Sequence, residues 1–471
     1  MNIGVFSIKM PIFLHLRRYL LIFVAKFASL LVKKHRIKVV TMYIHELDTW
    51  PQFKWDSEGI AMLLEEAIRR QSMLYGRLSN LGFDDKMKTL AENLTYDVVQ
   101  SSEIEGVHLN TDEVRSSIAR RLGIESMIKS DTSSHYIDGV VSVMLDAMEN
   151  YDAVLTKDKL CAWQASFFPT GFSGGSKIEV GNYRTHEEHI VSGFLGRERI
   201  HYVAPSPQQL EEEMSKFLSW FNAPQSQPSV ICSAIAHLWF VSIHPFEDGN
   251  GRLARILGDM MLARGNQSHY KFFNISTAIN HDKRHYYSVL ETVQHGNGDI
   301  TEWIEWYIKT LITAVIDANA IVSAVLNKSR FWTNAAGIDL NKRQRDTLNR
   351  FLDGYEAKIT TKMWAALNKC SKDTAIRDIK DLVDKGILHE DHIGAKRPSY
   401  SIYCADYEQQ ITDNFKRVDL VQENGSFYLK GEHKSVGKFS ERVLPLDADR
   451  FQSGDLPLNH IIAKYCSYMM E

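Results

Sequence analysis

Twelve consecutive residues, His244-Pro245-Phe246-Glu247-Asp248-Gly249-Asn250-Gly251-Arg252-Leu253-Ala254-Arg255, bring together a base, a metal-seeking carboxylate, a glycine turn and two arginines. His244 is neutral and basic near pH 7, fit to take a proton from a hydroxyl. Asp248 stands before the turn, and one carboxylate plus substrate phosphates is a usual way of holding Mg2+, or Mn2+ in its place. Gly249-Asn250-Gly251 can turn successive backbone N–H groups toward an anion, and a helix starting there aims its positive end at the same spot. Arg252 and Arg255, three apart, take neighbouring helical positions from which both can fork onto phosphate oxygens. The chemistry these residues share is the transfer of part of a nucleotide. Phe246 reads as packing that fixes the loop.

Such a turn needs a helix that stops before it and another that starts after it. Val230 to Ile243 is an apolar run long enough for a buried helix, and Pro245, Gly249 and Gly251 break it. One helix is therefore predicted to end near His244 and the next to run from about Arg252 through Leu262-Ala263. Upstream, Val180 to Thr185, His189 to Gly193 and Arg199 to Pro205 give short β-prone runs around the link Phe194 to Glu198, a hairpin pattern. Lys86 to Glu105 reads as a helix with Leu90, Leu94, Val98 and Ile104 on one stripe. Gly171-Phe-Ser-Gly-Gly-Ser-Lys177 invites a phosphate-loop reading, but it lacks the required spacing and no buried strand precedes it.

The run 244–255 resembles the Fic-domain signature His-Pro-Phe-x-Asp-Gly-Asn-Gly-Arg-x-x-Arg at every fixed position. The resemblance implies a protein adenylyltransferase in which His244 is general base on a Ser, Thr or Tyr hydroxyl of a target protein. That hydroxyl attacks the α-phosphorus of ATP, AMP is transferred and pyrophosphate leaves. Asp248 would hold Mg2+ (or Mn2+) between the α- and β-phosphates, Gly249, Asn250, Gly251 and Arg252 would cradle them, and Arg255 would grip the γ-phosphate. Positioning and charge neutralisation dominate such transfers. The hairpin at 189–205 resembles the family's flap, whose edge pairs with an extended segment of the target. Arg284 to Leu290 and Gly298 to Ile304 resemble the helices closing the core, with Tyr286 and Tyr287 as candidates for adenine contact.

Ser101-Ser-Glu-Ile-Glu105-Gly106 fits the family's inhibitory pattern of Ser or Thr, three residues, Glu, then Gly or Asn. Glu105 would pair with Arg255 and occupy the group meant for the γ-phosphate. An exposed pair of this kind is worth on the order of 1 kcal/mol, so inhibition requires burial. The alternatives are AMP removal or transfer of another phosphate-containing group on the same fold, and a DNA-binding regulator that senses nucleotide. Nucleotide competition separates donors, and an intact His244 argues against a pure sensor.

With 471 residues, 44% hydrophobic and 24% charged, the chain has an ordinary globular composition and length for about three domains. Cys161, Cys232, Cys370, Cys404 and Cys466 are odd in number and lack a C-x-x-C pair, the usage of a reduced cytoplasmic protein. Residues 1–41 carry eight Lys and Arg and no acid against a whole-chain net charge of −3, so the remaining 430 residues carry −11. Tyr19 to Val32 is interrupted by Lys26, which disfavours a membrane span or a cleaved signal, and translation is expected to start at Met42.

The expected fold is mainly α: an all-helical Fic core with a β-hairpin flap, an N-terminal helical domain and a C-terminal winged helix. The divisions are a basic extension (1–41), a helical domain with the inhibitory helix (42–130), the Fic core (131–333), a winged-helix domain (334–404) and an extension of unknown role (405–471). The winged-helix reading rests on helices at Asn341 to Tyr355, Thr360 to Asn368 and Ser371 to Lys385, then strands at Gly386 to Glu390 and Arg397 to Ile402. In its third helix Lys372, Arg377 and Lys380 stand against Asp373, Asp378 and Asp381, so attraction to DNA phosphate is not evident and protein docking is preferred. A symmetric homodimer would suit the fold.

Overall fold

The computed structural model describes residues 42–466 apart from 80, 193–198, 353–357, 391–397, 403–413, 424–425, 435–436, 444–447, 449–450 and 453–457. The basic extension 1–41, the link Phe194 to Glu198, the tip of the expected wing and Cys404 lie outside the described residues.

Helices dominate. In chain order they are α1 (Ala61–Leu78), α2 (Phe83–Ile104), α3 (Thr111–Leu122), α4 (His135–Glu149), α5 (Lys157–Phe167), α6 (Leu210–Asn222), α7 (Ser229–Ile243), α8 (Asn250–Asn266), α9 (Ile275–His281), α10 (Lys283–Gln294) and α11 (Thr301–Asn334). Two small antiparallel hairpins interrupt them, β1 (Phe172–Ser173) with β2 (Ser176–Lys177) and β3 (His189–Ser192) with β4 (Arg199–Val203). Starts follow local capping: Asn110, Ser134, Thr156 and Asn274 each accept a hydrogen bond from a first-turn N–H of α3, α4, α5 and α9.

One apolar core runs without a break from Ile44 to Leu326, so the units expected at 42–130 and 131–333 share it. Its centre is α7, every residue of which from Val230 to Ile243 is buried, packed along α8 and crossed by α11. An apolar run with no polar face has no other stable place in water. α11 is long and apolar enough to cross a membrane by length and composition, yet much of it is packed on α1, α9, α10 and α7. The segment before α1 straps the core, with Lys54 bridging Asp299 and the Trp50 indole donating to Glu213 at 2.6 Å.

A second cluster, from Phe331 to Leu388, is built by α12 (Lys342–Leu352), α13 (Thr361–Leu367), α14 (Lys372–Asp384) and the antiparallel pair β5 (Leu388–Glu390) and β6 (Tyr400–Ile402). This is the element order read from the sequence over 334–404. The third cluster belongs to the meander β7 (Phe415–Glu423), β8 (Ser426–His433), β9 (Gly437–Val443) and α15 (Leu458–Cys466). It rests on α11, and Arg70 of α1 reaches Glu441 at 3.2 Å.

Candidate active site

α7 delivers His244 into a left-handed cap, φ 51°, whose N–H donates to Phe240 O at 3.1 Å. A non-glycine residue there is strained and persists only when its surroundings enforce it. Buried Arg184 does so: its backbone N–H donates to Pro245 O at 2.9 Å, its Nε to His244 O at 2.8 Å, and its Nη atoms to His186 O and Pro205 O at 2.8 and 2.5 Å. One side chain thus ties the turn to the foot of the flap. His244 Nδ1 lies 3.2 Å from Val241 O. A carbonyl only accepts, so Nδ1 carries the hydrogen and Nε2 the lone pair. Burial pushes the His244 pKa down to about 4, against the opposing pull of that carbonyl, so the ring is neutral at pH 7.

The turn that follows is built from its own side chains. Gly249 has φ 94°, and a Cβ there would come within 3.3 Å of both Phe167 and Phe168. α8 begins at Asn250, two residues earlier than the sequence suggested. The Asn250 amide spans the turn, donating to Phe246 O at 2.7 Å and accepting the Phe246 N–H at 3.0 Å. Its side chain therefore holds the loop, and its backbone N–H is left for an anion. Phe246 is fully buried against Tyr183, as its packing role requires.

Asp248 stands at the lip, accepting from Gly249 N–H at 2.5 Å and from the Ser173 hydroxyl, with Arg252 Nη2 3.6 Å away. Buried Arg252 lies between the rings of Phe167 and Phe168, 4.8 and 4.9 Å from their centroids, and donates to the Tyr136 hydroxyl at 2.7 Å. Arg255, also buried, donates to Ser101 Oγ and Ser101 O at 2.9 Å each and to Glu105 Oε1 at 2.7 Å. Burial works against its charge, but Glu105 beside it holds the guanidinium above its ordinary pKa. Arg255 Nη1 is buried with no hydrogen-bond partner among the described residues.

Glu105 does more than pair with Arg255. A Cβ on Gly251 would come within 2.3 Å of Glu105 Oε1, so the carboxylate lies on the first turn of α8 in space that only a glycine leaves open. Ser101 and Glu105, one turn apart at the end of α2, grip the same arginine, and Gly106 follows with φ 79°, letting the chain turn away.

The two tyrosines part company. Tyr286 is 2% exposed, with its hydroxyl 3.1 Å from His237 Nε2 and its ring among Trp303 and Trp306. Its ring and hydroxyl are thus held in the core. Tyr287 is 42% exposed, and the charges of Glu105 and Arg255 act on its phenol. The flap pairs His189 with Val203 and Ser192 with Arg199, with a bulge near His201. Glu291 of α10 holds its outer end, accepting from Arg199 and His201 at 2.5 and 2.7 Å.

Ser173, Tyr136 and Arg184 had no role in the sequence reading. Ser173 sits in the segment rejected as a phosphate loop. That segment is a two-residue hairpin, yet it brings a hydroxyl to Asp248. Buried Lys271, linking Asp97 of α2 to Asp259 of α8, was missed as well.

A neutral base beside a helix N-terminus clasped by two buried arginines, with a carboxylate at the lip, can hold a polyphosphate and take a proton next to it. The Fic/DOC family model matches residues 154–262, and a domain of unknown function, DUF4172, matches 43–124. Among curated proteins, the protein adenylyltransferase Fic of Nematostella vectensis is 30% identical over 143 residues, 30% of this chain and 29% of that protein. The Aedes aegypti protein of the same name is 34% identical over 119 residues, 24% of this chain and 22% of that one. The chain thus aligns with less than a third of the length of these relatives. Among solved structures, a Fic family protein from Desulfovibrio desulfuricans G20 gives a TM-score of 0.42 at 18% identity, covering 72% of this chain and 96% of that one. Fic-1 (residues 134–508) from C. elegans gives 0.40 at 18% identity, covering 55% and 72%.

Proposed function

We propose that the protein is an autoinhibited protein adenylyltransferase, moving AMP from ATP to a Ser, Thr or Tyr hydroxyl of a target protein. The observation that carries this reading is Glu105, laid across the first turn of α8 and onto Arg255, beside a base whose Nε2 has no hydrogen-bond partner among the described residues. Autoinhibition follows from the same contact. A γ-phosphate reaching Arg255 must displace a carboxylate that already neutralises it and that also lies on the first turn of α8.

In the transfer, His244 Nε2 takes the hydroxyl proton as the oxygen attacks the α-phosphorus. The bond from that phosphorus to the bridging oxygen breaks, and pyrophosphate leaves. Val241 O and Arg184 keep the imidazole aimed through the step. Asp248 would hold a Mg2+ or Mn2+ ion, which would supply charge neutralisation when bound. The Ser173 hydroxyl and the Gly249 N–H hold one oxygen each of Asp248. The target would lie along the flap at 189–205, and Tyr287 is the aromatic surface for the base. The N-terminal helical unit serves to present Glu105, and the unpaired Cys161, Cys232, Cys370 and Cys466 support a cytoplasmic setting.

Parallel reactions with ATP labelled at the α- or the γ-phosphate test the chemistry. Label on protein from the α-position alone supports adenylyl transfer. Label from the γ-position means phosphoryl transfer and overturns it.

A further inference from the structure

The acids of α14 cancel its bases in number, but they do not stand where the bases stand. Asp378 is 5% exposed and turned inward, accepting from Arg343 at 2.9 and 3.1 Å, from Asn341 at 3.0 Å and from the Trp364 indole at 3.3 Å. Asp381 is taken by Gln344 at 2.8 Å and Lys385 at 2.6 Å. Lys372, Arg377 and Lys380 are exposed on the outer face and have no acidic partner among the described residues. Lys362 of α13 and Lys369 of the turn are exposed beside them, and Asp373 and Asp384 are the exposed acids of the helix. Of the four acids of α14, Asp378 is buried and Asp381 is neutralised at the surface by Lys385, which leaves Asp373 and Asp384 against the exposed cations.

The scaffold suits a long polyanion. α13 and α14 pack together across a four-residue turn, 368–371, opened by Lys369 at φ 49°, and Ser371 caps α14 by accepting the Thr374 N–H. A helix pair joined by a turn of that length is the frame in which a second helix enters the major groove of duplex DNA. Lys372, Ile376 and Lys380, four apart, form one stripe, with Arg377 beside it. Ile376 is 44% exposed between the cations, an apolar side chain of the kind that meets a thymine methyl. The acidic remainder of the chain is screened over about 8 Å at physiological salt, so the local face decides the attraction.

We propose that the outer face of α14, with Lys372, Arg377 and Lys380 at its centre, binds double-stranded DNA. The cations contact backbone phosphates, and the site is separate from the adenylyl-transfer site and does not depend on it.

The test is fluorescence anisotropy of a labelled 30-base-pair duplex with the full chain across a salt series. Binding is expected to weaken with salt at a log–log slope of about −3, near 0.9 for each phosphate neutralised. The Lys372→Ala, Arg377→Ala, Lys380→Ala triple variant should lose at least about tenfold in affinity and most of the slope, with an unchanged melting temperature because its sites are exposed. Asp373→Asn, which removes an acid from the same face, should bind more tightly. Absence of duplex binding overturns the proposal. So does binding that the triple variant leaves intact, or a preference for single-stranded RNA or an acidic polypeptide over duplex DNA.

Discussion

Helices α2 and α8 meet through two charged contacts two turns apart, and the two are built in opposite ways. Near the ends that face the cleft, Glu105 pairs with Arg255. The glutamate side chain is a quarter exposed, and the arginine has a second hold on Ser101 and one unused nitrogen. Deeper in, Lys271 sits between Asp97 and Asp259 with all three side chains buried, and Asn93 ties the backbone of the same loop through Lys271 O at 3.0 Å. Asp97, Ser101 and Glu105 are four apart on α2, and Arg255 and Asp259 are four apart on α8. One stripe thus carries a root that cannot dissolve and a tip that can exchange its carboxylate for a phosphate. In the proposed reading, a phosphate displaces the Glu105 carboxylate without undocking the helix.

The largest effect expected is at the root. Lys271→Met leaves two buried carboxylates facing each other and should cost about 3–5 kcal/mol in urea-induced unfolding, whereas Glu105→Gln should cost less, because Arg255 keeps its bonds to Ser101. Equal losses would dissolve the contrast. Next, MgATP should raise the melting temperature of Glu105→Gln more than that of wild type, because ligand stabilisation grows with affinity, by about 1.4 kcal/mol for each tenfold. Equal shifts would mean that Glu105 does not compete for the phosphate site.

A pH series sharpens the same picture. Burial holds His237 at about 3 and His244 at about 4, both below the ordinary 6.5. The unfolded chain therefore binds more protons than the folded one below pH 6.5, and stability should be complete above that value and fall from pH 6.5 toward 4. Asp259 runs the other way, because burial holds its carboxyl above the usual range despite Lys271. Its contribution is largest in acid and declines as pH rises toward neutrality, so Asp259→Asn should steepen the acid loss. The smallest effect belongs to Ser173→Ala, a two- to threefold rise in the magnesium needed for half-maximal activity, about what one lost hydrogen bond to a solvated carboxylate allows. No change would remove Ser173 from the site.

How legible each part was depended on how far apart its pieces lie in the chain. The 244–255 turn was readable because base, carboxylate, glycines and arginines are contiguous and the helices around them follow from one apolar run and its breakers. Glu105 was readable from a short spacing once that turn was known. Lys271 was not, since its partners are 174 residues before it and 12 residues before it on separate helices. Ser173 was hidden in a segment judged only as a phosphate loop. Tyr286 and Tyr287 are adjacent on one helix, and the sequence does not show which side faces the core. The acids of α14 could be counted from the sequence, but the inward turn of Asp378 could not.

The most direct measurement of the central claim is incorporation of label from α-labelled ATP into protein, itself included. Wild type, Glu105→Gly and Glu105→Gly with His244→Ala would be compared side by side. The account predicts strong labelling by Glu105→Gly, little by wild type and none by the double variant. Equal labelling by wild type and Glu105→Gly would contradict the inhibitory role of Glu105, and labelling that survives loss of His244 would contradict its role as the base.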